Sequence, residues 1–168
     1  MYMNNLSTIY KSLLNRNPNG NEILKFNTHR NIKIANKEIL VSEEYKSFLN
    51  ETKKNIFNLV NKVFLLGEVN LTIHPVLEYK FIENVRQNNY NYNSLKGELT
   101  KLFYQYEPKI KVLINKLYFN KPLIELDTHI QNSWMILLTN NFNLNELEFD
   151  LVNNPNYLIM VKNELKNI

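Results

Sequence analysis

The stretch LKGELTKLFYQYEPKIKVLINKLYF, residues 95–119, narrows the folds open to this chain more than any other, because a proline cuts across its apolar pattern. Leu95, Leu99, Leu102, Phe103 and Tyr106 recur at i, i+4, i+7, i+8 and i+11, the spacing of one helix face. Pro108 has no backbone N–H and biases the residue before it toward extended backbone, so the pattern predicts a helix that stops at Glu107-Pro108-Lys109. Beyond that corner Ile110, Val112 and Ile114 alternate with Lys109 and Lys111, which reads as a strand.

The same two-residue period recurs downstream. Ile124, Leu126, Thr128 and Ile130 alternate with Glu125, Asp127 and His129; the apolar run Trp134 to Leu138 follows a Gln131-Asn132-Ser133 turn; and Leu147, Phe149 and Leu151 alternate with Glu146, Glu148 and Asp150. With short polar connectors, these segments predict an antiparallel sheet with one solvated face. NNPN at 153–156 then supplies a cap and a first-turn proline for a closing helix bearing Tyr157, Leu158, Val161 and Leu165.

Upstream the period is helical. Ser42 is placed to cap a helix whose stripe runs through Tyr45, Phe48, Leu49, Ile56, Leu59, Val60, Val63 and Phe64, and Gly67 stops it. Pro75 opens a second helix with Leu77, Phe81, Ile82 and Val85 inward. Leu6, Ile9, Tyr10, Leu13 and Leu14 mark a short N-terminal helix before the break NRNPNGN, so residues 1–21 read as a helix with a mobile linker. Residues 22–41 alternate weakly and fit a hairpin or a surface loop. The expected fold class is α+β: amphipathic helices, a small antiparallel sheet and a C-terminal helix, with residues 22–168 forming one domain.

Function classes narrow by exclusion. The chain has 20 basic and 16 acidic side chains, a net charge of +4, short of the clustered excess of a dedicated nucleic-acid binder. It contains no cysteine, which removes disulfides, thiolate metal sites and a cysteine nucleophile and fits a reducing, cytoplasmic compartment. No stretch approaches the ~20 apolar residues of a membrane span. Asparagine makes up roughly one residue in five or six, which suggests an A+T-rich coding sequence, and single asparagines are therefore discounted as functional signals.

Catalytic motifs are missing as well. His29, His74 and His129 lack metal-ligand spacing, and with glycine only at 20, 67 and 97 no phosphate-cradling loop can form. The carboxylates Glu125, Asp127, Glu146, Glu148 and Asp150 could pair as the acid and base of a glycosidase, but each occupies the polar phase of an expected strand, where it solubilises an open face. A non-enzyme without cofactor or metal is the expectation. The alternative is a nucleic-acid-binding module using Lys101, Lys109, Lys111, Lys116 and nearby tyrosines.

An amphipathic helix ending in an aromatic residue and Glu-Pro-Arg, followed by an alternating strand, resembles the signature of the small baseplate wedge subunits. These are the TssE-like proteins of type VI secretion systems and their homologues in contractile phage tails. Here the arginine is Lys109, a point charge where the family has a bidentate fork. KSLLNRN (11–17), KKNIFNLVNKVFLL (53–66), FIENVRQNNYNYN (81–93, without the family's glycine) and LVNNPNYLIMVKNEL (151–165) resemble other family segments in order. The resemblance implies a cytoplasmic structural protein that joins other wedge subunits to the contractile sheath. It implies partner contacts at Glu107, Pro108, Lys109 and Lys111. Strand addition at a sheet edge would be the mechanism.

Overall fold

Asparagine side chains mark where several of the helices begin and end. The computed structural model describes residues 2–67, 71–117, 126–155, 158–159 and 162, and the elements among them are α1 (Tyr2–Leu14), α2 (Gly20–His29), α3 (Ile32–Leu40), α4 (Glu43–Val63), α5 (Pro75–Gln87), α6 (Asn93–Leu117), α7 (Leu126–Thr139) and α8 (Leu144–Val152). Asn19, Asn31 and Asn143 cap α2, α3 and α8 by accepting first-turn backbone N–H groups. Asn15, Asn89 and Asn141, at φ of 54°, 53° and 54°, enter the left-handed region just past α1, α5 and α7. Asparagine tolerates that conformation better than most residues.

The α+β expectation is overturned. The described residues contain eight helices and no strand. Residues 93–117 form one helix of 25 residues with Pro108 inside it, so the expected corner at Glu107-Pro108-Lys109 does not exist. Burial decides between the two periods. Ile110 and Ile114 are fully buried, but Val112, which a strand would place beside them, is 67% exposed. Extended at helical spacing, the stripe continues from Leu95 and Leu99 through Ile110 and Ile114 to Leu117.

Energetics explain why the proline is tolerated. An interior proline costs a helix about 3 kcal/mol, whereas each large aliphatic side chain taken fully out of water contributes roughly 1.5–3 kcal/mol. Ile110, Ile114 and Leu117 together outweigh the penalty. Pro108 also lies on the outer face with Tyr104 and Val112, four residues before and after it, and both of those are exposed. The Tyr104 carbonyl, which loses its N–H partner from position 108, is therefore on the side where water can reach it.

The other expected strands fail for the same reason. Ser133, Trp134, Leu137 and Leu138 are buried at i, i+1, i+4 and i+5 of α7, and the supposed turn at Gln131-Asn132-Ser133 is helix interior. In α8, Leu147 and Leu151 are buried while Phe149 between them is 64% exposed. Residues 22–41, expected as a hairpin or loop, form α2 and α3. The helices expected from the Ser42 cap and from Pro75 are present as α4 and α5. Ile124 and Glu125 of the expected sheet, and Tyr157, Val161 and Leu165 of the expected closing helix, lie outside the described residues.

The chain divides into two compact units, 1–57 with 81–95 and 58–80 with 96–168. In the first, Leu6, Tyr10 and Leu14 of α1 pack with Phe26 of α2 and with Ala35 and Ile39 of α3, so the expected N-terminal helix is part of a core. In the second, Phe64, Phe103 and Trp134 form an aromatic cluster. Phe103 stacks on Trp134 at 5.3 Å between ring centroids, and Phe64 lies 4.6 Å from Trp134. Gln131 Nε2 donates to the Leu66 carbonyl at 2.6 Å, and the His74 amide donates to the Leu138 carbonyl at 2.9 Å, tying the segment after α4 to α7.

Candidate docking groove

Continuing α6 past Pro108 sets the positions of its polar residues. Glu107 and Lys111 face each other one turn apart and pair at 2.9 Å, so these two expected contact residues satisfy one another. Pro108 and Lys109 instead line a groove of about 420 Å³ with Val112, Leu113 and Lys116 of α6 and Leu144, Asn145 and Glu148 of α8. Two of the four residues singled out by sequence are thus brought together, and two are engaged with each other.

Val112, Leu113 and Leu144 give the groove an apolar floor. Lys109 and Lys116, seven residues and roughly two turns apart, place positive charge along the α6 wall. The Lys109 ammonium sits 5.1 Å from the Tyr106 ring centroid, a cation–π contact that orients it. Glu148 stands on the α8 wall. Asn143 fixes that wall by accepting from the Asn145 and Glu146 amides at 3.0 and 3.3 Å.

As groove residues the sequence reading missed Val112, Leu113, Leu144, Asn145 and Glu148, having taken Val112 for a strand residue and Glu148 for a candidate catalytic carboxylate. The signal that finds the first of them is the i, i+4, i+8 series Tyr104, Pro108, Val112, visible once the helical period is carried across the proline. The four lysines of the nucleic-acid alternative do not form one track. At ~100° per residue Lys109 and Lys116 share a face, but Lys111 is roughly 160° away from Lys109 and its ammonium is held by Glu107. Glu146, Glu148 and Asp150, weighed as an acid–base pair, are all exposed on α8, and only Glu148 of the three lines the groove. The Asp127 side chain and Glu125 lie outside the described residues.

Among the described residues no group of His, Asp or Glu side chains is placed to hold a metal ion, and no helix is long and apolar enough to cross a membrane. No family model, curated protein or solved structure matches the chain.

Proposed function

We propose that this chain is a cytoplasmic assembly protein that docks an amphipathic helix of a partner protein in the groove between α6 and α8. The observation that carries the reading is Val112: a large aliphatic side chain, 67% exposed, on the floor of a groove with a basic wall and an acidic one. An occupant that fits carries an apolar ridge for Val112, Leu113 and Leu144. It also carries carboxylates on the flank facing Lys109 and Lys116, and cations on the flank facing Glu148. Helix-in-groove recognition supplies affinity through the ridge and register through the charges.

The baseplate wedge role implied by the resemblance is retained only in this form, as assembly through helix faces. Strand addition is withdrawn, because the segment that would supply the strand is helical. The lysines of a nucleic-acid surface are split between faces of α6, and Lys111 is held by Glu107.

A photo-crosslinking residue at position 112, introduced in the native cell, tests the proposal. The expected result is capture of a protein segment with the stated charge pattern, followed by binding of that purified partner that Val112→Asp and Lys109→Glu each weaken about tenfold or more. Both positions are exposed, so the fold should survive both changes. Capture of a wedge or sheath subunit would tie the groove to a contractile machine. Equal capture from position 112 and from the exposed control Leu24, or unchanged affinity in Val112→Asp, would overturn the docking reading.

A further inference from the structure

The two helices that wall the groove carry opposite charges. From Pro108 to Leu117, α6 has three lysines and no carboxylate, whereas α8 has three carboxylates and no cation. Each helix also raises one large apolar side chain on the face opposite a buried pair. Val112 stands midway between Ile110 and Ile114, Phe149 midway between Leu147 and Leu151, and both are exposed. Lys109 and Lys116, three residues before Val112 and four after it, flank that ridge on the groove side, and Glu148 lies beside Phe149 on the groove side of α8.

A basic helix with an aliphatic ridge thus runs beside an acidic helix with an aromatic one, and each is the other's complement. Resting on the reading of this groove as a docking surface, we propose that its occupant is a second copy of this chain. The dimer is isologous, with α8 of each copy laid over α6 of the other.

Symmetry and charge select that arrangement together. A two-fold axis running along the groove places α8 of one copy on α6 of the other and leaves the height of every residue along the axis unchanged. Leu144, Asn145 and Glu148 share the groove with residues 108–116, so they stand level with that stretch and meet the same stretch in the second copy. Phe149 then lies against Val112, and Glu148 faces Lys109 and Lys116, at two equivalent contacts. An axis across the groove would instead set lysines against lysines and Glu148 against Glu148, which like-charge repulsion disfavours. The nine residues of α8 span only about 13 Å. The association therefore belongs to the weak class that buries less than about 1,200 Å².

Sedimentation equilibrium of the purified full chain tests the dimer, with a reversible monomer–dimer equilibrium of Kd below about 1 mM expected. One variant carries Lys109→Glu with Lys116→Glu and another carries Glu148→Lys. All three positions are exposed, and each variant alone puts like charges at both contacts, so each should self-associate at least about tenfold more weakly. Mixed together, the two should form a heterodimer within about threefold of the parent affinity, because one contact joins the exchanged charges and the other keeps the original ones. Phe149→Ser, at a position outside the groove lining, should weaken the dimer about tenfold. A chain still monomeric at about 2 mM, an unchanged equilibrium in Phe149→Ser, or a mixture no more associated than its components overturns the dimer. Where position 112 of a monomeric chain nevertheless captures another protein in the cell, only the second-copy assignment falls and the docking reading stands. Monomeric behaviour with no capture above the Leu24 control overturns both.

Discussion

The first unit is fastened by charge and the second by rings. In the first, Arg16 uses all five guanidinium donors: Nη1 and Nη2 reach Glu22 at 2.7 and 2.9 Å, Nε and Nη2 reach Glu44 at 2.7 and 2.9 Å, and Nη1 also donates to the Asn17 carbonyl at 3.0 Å. Glu22 in turn closes the capping box on Asn19, and the guanidinium lies over the Tyr10 ring. In the second, the principal fastening is Trp134 between Phe64 and Phe103, with Phe142 against Phe64 and Tyr106. α2 and α3 have 10 and 9 residues, too few to bury a long stripe, and caps and ion pairs add to what their packing supplies.

The strongest way to break this contrast is Trp134→Ala. Removing a fully buried indole should cost about 3–5 kcal/mol, and amide hydrogen exchange should show the loss first in residues 96–117 and 126–152. Equal loss of protection in residues 5–57 would mean that the two units do not differ in what holds them. Pro108→Ala should act in the opposite direction. Restoring the missing donor on an exposed helix face should stabilise by about 2 kcal/mol, the helix penalty less the gain in unfolded-chain entropy. A drop in melting temperature would show that the proline is needed where it stands.

The smallest effect, of order 1 kcal/mol after solvent screening, comes from pH and should fall on the first unit. Hydrogen bonds from Arg16 hold the Glu22 and Glu44 carboxyls below their ordinary value of 4.5. The unfolded chain therefore takes up these protons first as pH falls, and the stabilisation present at neutral pH is lost below about 4.5. Burial, with Glu22 adding to it, pushes the Tyr10 phenol up to about 12 from 10.0, so its contribution is intact below pH 10 and lost as pH rises toward 12. Exchange at residues 5–57 should follow both limbs while fluorescence from the single tryptophan, Trp134, stays flat. Parallel changes in the two signals would contradict the assignment of charge to one unit.

Much of the fold was legible where helical stripes were long. α4 and α5 stood out from their caps, breaks and apolar spacing, and the first half of α6 from Leu95 to Tyr106 did as well. The sheet was misread because i and i+4 satisfy a period of two as readily as a period of 3.6. Ile110 and Ile114, or Leu147 and Leu151, fit either, and only the residue midway discriminates. That residue is Val112 in one case and Phe149 in the other, both apolar yet exposed. The docking floor thus hid itself: the side chain that makes α6 useful is the one that made it look like a strand. Discounting asparagines concealed the rest, since Asn19 and Asn31 are what start α2 and α3.

Joining the α1 end, the α2 start and the α4 start through one guanidinium has a consequence for tolerance to insertion. Surface connectors usually accept extra residues at small entropic cost, but the six-residue separation of Arg16 and Glu22 is part of the clasp. Adding residues between positions 17 and 19 would carry the fork out of reach of its carboxylates while leaving every side chain chemically unchanged. In this corner, chain length is as much a specification as residue identity.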